Sequence, residues 1–209
     1  MSYPRFFRLP ILAGTLLVAA GVSTQAAPSK KLPPPPLAPA HSPSPAVTDD
    51  FIHKEFGENC SLLAGPPQFV ADLDDDGVDD LIVVARCKNP MADRDEYSFQ
   101  VTDPYDSSLG FGNVKVTSTF ASDEPERRGI SLLIIHGTGP EAWRAAVPKA
   151  KFLLINLPFK TLTVKKLALK KQTLLGIYME EQGEGENTSS VIFWDGKKYR
   201  YQMLGSTME

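Results

Sequence analysis

Apolar positions fall into three regimes along this chain. Leu9 to Val22 is continuously apolar behind Arg5 and Arg8, residues 27–47 are mostly Pro, Ala and Ser, and from Thr48 onward short apolar runs alternate with polar turns. The third regime predicts strands. Leu81–Val84, Ile130–Ile135 and Lys151–Leu157 are strongly apolar runs, whereas Tyr97–Thr102, Val114–Phe120 and Thr161–Val164 alternate more openly. At Lys165-Lys166 the alternation changes phase before Leu167 and Leu169, which predicts a bulge or a turn. Leu174–Met179 is a further strand, and Ser190–Trp194 with Lys197–Tyr201 predicts a hairpin on Asp195-Gly196. Two short helices fit the pattern. One is Asp49–Phe56, with acids first and Phe51, Ile52 and Phe56 on one side before Gly57; the other is a single turn at Gly139–Arg144. With about nine strands and no strand–helix–strand alternation, the expected class is mainly β and mostly antiparallel.

The first two regimes lie outside that fold. Residues 1–26 read as a cleaved secretory signal: a basic start, an apolar stretch too short for a comfortable membrane span, and small residues in Thr24-Gln25-Ala26. Residues 27–47 read as a Pro-rich linker, which in polyproline II geometry spans up to about 60 Å. The β-rich domain is expected over 48–209, with a secreted or periplasmic location and no transmembrane span after signal cleavage. Losing Arg5 and Arg8 takes the 22 basic residues to 20 against 25 acidic ones, a mild negative charge that argues against nucleic acid as the main partner. Export also places Cys60 and Cys87 in an oxidising compartment, where an even count favours a disulfide over two buried thiols.

One stretch carries the chemistry. Asp72 to Asp80 holds six carboxylates in nine residues with no Lys or Arg, and it runs directly into the apolar Leu81–Val84. Such a cluster either stays solvated or wraps a hard cation. Asp72, Asp74 and Asp76 stand at positions 1, 3 and 5 of a calcium loop, Gly77 at the sharp turn, the Val78 carbonyl at position 7 and Asp80 at position 9. Position 12 is Val83 inside a strand, which excludes an EF-hand. The pattern D-x-D-x-D-G-x-x-D followed by a strand resembles the calcium loops of FG-GAP (integrin α-type) and VCBS repeats over Phe69–Val84. That resemblance implies Ca²⁺ as the cofactor, with Asp72, Asp74, Asp76, Val78 and Asp80 as its ligands. It also implies an FG-GAP/VCBS-like unit. A single loop in roughly 160 residues cannot make a complete propeller.

Other chemistry is weaker. Leu132 to Gly139 ends a strand on His-Gly-x-Gly, which is similar to the oxyanion loop of α/β-hydrolases, but no G-x-S-x-G elbow occurs and His136 is the last histidine. A hydrolase using His136–Gly139 is the alternative from another functional class. Zinc lacks ligands, since the histidines are only His41, His53 and His136. From Ala142 to Met179 the chain has eight basic residues and no acid. Lys160, Lys165, Lys166, Lys170 and Lys171 are therefore either a face for an anionic envelope polymer or another envelope protein, or lysines guarding exposed and edge strands. Asn59-Cys60-Ser61 and Asn187-Thr188-Ser189 fit a glycosylation sequon, which matters only in a eukaryotic secretory pathway. The reading that these residues support is an exported, calcium-binding, non-enzymatic binding or structural protein of the envelope.

Overall fold

A computed structural model describes residues 47–111, 127–170, 172–181 and 187–207. The expected signal, most of the expected linker, the strand expected at Val114–Phe120, and Lys171 lie outside these residues. The described residues form two β-sheets, mostly antiparallel, and no closed propeller.

Strands β1 (Cys60–Leu62), β2 (Phe69–Ala71), β3 (Asp80–Cys87), β4 (Gln100–Thr102), β5 (Ile130–His136) and β6 (Ala150–Leu154) make the first sheet. Its order is β1-β3-β5-β6-β4, with β2 beside β1 on the same edge of β3. Only the β4–β6 pair is parallel. Strands β7 (Phe159–Ala168), β8 (Thr173–Glu181), β9 (Asn187–Trp194) and β10 (Tyr199–Thr207) follow one another as an antiparallel meander in the second sheet.

The strongly apolar runs have a simple cause: β3, β5 and β6 are buried on both faces. Successive side chains point to opposite sides of a strand. Ile82, Val84, Leu132, Ile134, Phe152 and Leu154 therefore meet Leu162, Ile177, Met179, Ile192 and Tyr199 of the second sheet. Leu81, Val83, Leu133, Ile135 and Leu153 point the other way, onto Ile52, Phe56, Phe99 and Trp143. The cover on that second face comes from α1 (Asp49–Phe56), which Thr48 caps by accepting from the Phe51 N–H. Phe51 adds an edge-on contact with Trp143, the ring centroids 5.3 Å apart. Val47, the last residue expected in the linker, is buried in the same core.

Four local expectations are corrected. The bulge or turn expected at Lys165-Lys166 is absent; β7 pairs in register through both lysines, and its one irregularity lies between Phe159 and Thr161. Leu167 is buried on the outer face, beside the place where a Gly176 side chain would stand, so the phase change reflects a second apolar face. The strand expected at Tyr97–Thr102 shortens to β4, and the chain then turns into α2 (Pro104–Ser108). Asp103 at its N-cap and Pro104 in its first turn were the signal for that helix. The β9–β10 loop holds four residues, since Trp194 pairs with Tyr199, and Asp195 Oδ1 accepts from the N–H groups of Lys197 and Lys198. Gly139–Arg144, where one helical turn was expected, is 3-10 in character but broken by a kink at Ala142 (φ 54°, ψ −131°). None of the described helices is long and apolar enough to cross a membrane.

Cys60 and Cys87 form a disulfide and are directly opposed in the β1–β3 register. The bridge closes the segment that contains the acidic loop, so both ends of that segment are fixed.

Candidate metal centre

The acidic loop connects β2 to β3, and its mouth is closed by the Ala71–Asp80 pair of those strands. Its own carboxylates shape it. Asp72 accepts from the Asp76 N–H at 3.1 Å through Oδ1 and from the Gly77 N–H at 2.8 Å through Oδ2. Asp76 Oδ1 accepts from the Val78 N–H at 2.9 Å. Gly77 sits at φ 84°, a conformation that side-chain-bearing residues avoid, and Asp75 at φ 58°, which Asp and Asn tolerate best after glycine. Asp75 is exposed and stands apart from the groups that converge.

Asp74 is the centre of the arrangement. Its side chain is 3% exposed, with Oδ2 lying 3.1 Å from His136 Nδ1 and 2.7 Å from Lys149 Nζ. Its other oxygen, Oδ1, is buried and accepts no hydrogen bond. Asp72, Asp74 and Asp76 bring carboxylate oxygens within 4.8 Å of one another, and Asp74, Asp80 and His136 do the same with their ligand atoms. Either group could hold a metal ion. Asp74 belongs to both.

Behind Asp74 stands a chain of donors. His136 Nε2 lies 2.6 Å from the Tyr199 hydroxyl. Burial pushes the Tyr199 phenol above its ordinary range, so it keeps its proton and donates it to Nε2. Burial likewise pulls the imidazole down, against the attraction of Asp74. With Nε2 facing the Tyr199 hydroxyl, Nδ1 is the ring atom turned toward the Asp74 carboxylate. Phe152, Trp194 and Tyr199 surround the ring with centroids 5.0 to 5.8 Å away. Outer-shell donors of this kind fix the orientation of a ligating carboxylate.

Asp80 opens β3 and is 1% exposed. It accepts from the Leu73 N–H and from the Gly137 N–H, each at 2.8 Å. Burial pushes its carboxyl up to about 7, opposed by those two N–H groups and reinforced by Asp74 and Asp72. Asp76 moves the other way, held below the usual carboxylate range first by the Lys149 ammonium.

The His136–Gly139 turn thus serves the loop. Its Gly137 N–H is committed to Asp80, and His136 is 1% exposed between aromatic rings. Gly137 is there because nothing larger fits: a Cβ would stand 2.4 Å from the Asp79 carbonyl oxygen and 2.7 to 2.8 Å from the backbone of Ala142 and Trp143. Those are main-chain atoms tied together by the Trp143 N–H donating to the Asp79 carbonyl at 3.1 Å. Gly137→Ala is therefore expected to destabilise the domain by about 2 kcal/mol, as overpacking does. Denaturant unfolding of the two proteins checks it, and equal midpoints would show that the turn can yield.

Of the residues expected as ligands, Asp72, Asp74 and Asp76 converge; Asp80 joins Asp74 and His136 from below; and Val78 lies in the loop with its N–H used by Asp76. His136, Tyr199 and Lys149 were not foreseen at the loop. Of the expected lysines, Lys160, Lys165 and Lys166 sit on β7 and Lys170 follows it, while Lys171 lies outside the described residues. β7 ends the order of the second sheet, and Lys160, Lys165 and Lys166 are exposed there. Lys165 and Lys166 are consecutive on an uninterrupted strand and so point to opposite faces. Lys149 and Lys151, from the same acid-free stretch, are committed elsewhere, Lys151 to Glu55 at 3.3 Å.

No protein-family model, curated protein or solved structure matches this chain.

Proposed function

We propose that this is an exported, non-enzymatic binding or structural protein of the cell envelope, and that its acidic loop holds one calcium ion. The observation that carries the metal is Asp74 Oδ1, a buried carboxylate oxygen with no hydrogen-bond donor among converging acids. An oxygen in that position costs stability unless something positive meets it. The donor set favours a hard ion. Both ring nitrogens of His136 are already engaged, by Asp74 and by Tyr199, which leaves oxygens as the available ligands. Calcium takes six to eight oxygens in flexible geometry, whereas zinc and its softer relatives seek imidazole and thiolate, and the two thiols are spent in the disulfide. Asp72, Asp74 and Asp76 would hold the ion with Asp80 and the Val78 carbonyl, and the ion would supply the charge that lets this loop abut a buried strand. Its role is structural.

Export rests on the sequence features of residues 1–47 and on the disulfide, which an oxidising compartment would sustain. Thermal melting in chelator and in several millimolar calcium tests the metal. A higher midpoint in calcium is expected; superimposable curves would reduce the acidic loop to a solvated turn.

A further inference from the structure

Lys149 reaches Asp74, at the centre of the loop, from 75 residues away in sequence. Its ammonium lies 2.7 Å from Asp74 Oδ2 and 2.5 Å from Asp76 Oδ2. These are two of the acids that would hold the ion. A divalent cation on the same carboxylates would face that ammonium at only a few ångströms, where like charges repel strongly. Both cannot stay.

We propose that Lys149 is a tethered competitor for the metal: its ammonium occupies the Asp74–Asp76 pair when the ion is absent and leaves when the ion binds. The proposal rests on the metal site proposed above and adds its regulation. Three features make the exchange feasible. The lysine side chain is 46% exposed, so the way out to water is open. Its backbone is held independently, the Lys149 N–H donating to the His136 carbonyl at 3.0 Å, so the side chain can leave while the strand stays in place. And the lysine is an incomplete substitute: one charge stands among three carboxylates, and Asp74 Oδ1 remains without a donor. The ammonium thus screens the empty loop without satisfying it, and the observed affinity for the metal is lowered by the fraction of molecules in which Lys149 is docked.

The test compares calcium titration calorimetry on the wild-type protein and on Lys149→Met, which keeps most of the methylene packing and removes the charge. Charge-assisted hydrogen bonds of this kind correspond to a factor of about ten in an equilibrium, so the variant should bind calcium about tenfold more tightly. Calcium binding by the variant alone would support the competition in its strongest form. Equal or weaker binding by the variant, with calcium bound by both proteins, overturns the competition and leaves the metal site standing. Binding by neither overturns both. If the variant does not fold, the wild-type protein decides: acylation of Lys149, read by peptide mass spectrometry, should speed up severalfold when calcium is added. An unchanged labelling rate under conditions where calcium is bound contradicts the exchange.

Discussion

Reducing the Cys60–Cys87 bridge is expected to lower the melting temperature by about 7–14 °C. The two cysteines are separated by 27 residues, and closing a loop of that length removes unfolded-state entropy worth about 3.5 kcal/mol. For a domain of this size each kcal/mol moves the midpoint by about 2–4 °C. The native geometry gives the bond a ready place, since Cys60 and Cys87 are partners in the β1–β3 register and both are buried. Replacing both cysteines with alanine should reproduce most of the drop without reductant. The loop should loosen as well, because β1 anchors the same strand that receives the acidic turn. An unchanged midpoint on full reduction would mean that the β1–β3 pairing and the core beneath it already restrict the chain.

The second large effect belongs to the metal. An ion that binds only the native state adds RT ln(1 + [Ca]/Kd), about 2.7 kcal/mol at a hundredfold excess over Kd. That corresponds to about 5–11 °C in melting temperature. Extracellular calcium modules have Kd of about 10⁻⁴ to 10⁻³ M, so the stabilisation should grow through the millimolar range and beyond. Magnesium should do little, since it demands a tight octahedral shell and keeps its waters. Asp76→Ala should abolish most of the calcium shift. In the metal-free protein the same change should cost less than it removes from the calcium shift, because the Asp76–Lys149 pair is partly open to water and Lys149 keeps Asp74 as a partner. The control is Asp75→Asn. Asp75 lies outside the converging group, and asparagine keeps its positive φ without strain, so the full calcium shift should remain. Equal loss in both variants would mean that the shift reflects general screening of negative charge rather than a site.

The parts of this molecule that were legible in the sequence share a physical cause. Leu81–Val84, Ile130–Ile135 and most of Lys151–Leu157 could be recognised as strands because burial on both faces leaves few polar positions; the last of them stops at Leu154, short of Asn156 with its positive φ. The Asp72–Asp80 spacing was legible because each oxygen must recur at alternate residues around a glycine turn, and the structure brings Asp72, Asp74 and Asp76 together. What surrounds Asp74 was not legible. His136, Lys149 and Tyr199 come from β5, from the residue before β6 and from β10, and only the sheet topology puts them beside the loop. The His-Gly-x-Gly signal was visible, yet its N–H serves Asp80; the sequence shows a glycine-rich turn after a strand without showing which carboxylate will face it. The phase change at Lys165-Lys166 misled for a related reason, since Leu167 is buried on a face that alternation alone assigns to solvent.

Equilibrium dialysis of the disulfide-intact protein against radioactive calcium, after exhaustive removal of divalent ions, tests the central claim most directly. One calcium ion per chain is expected at saturation, with half-occupancy at about 10⁻⁴ to 10⁻³ M and with most of the binding lost in Asp76→Ala. Retention no greater than that of the Asp76→Ala variant at several millimolar calcium would contradict a metal centre in the Asp72–Asp80 loop.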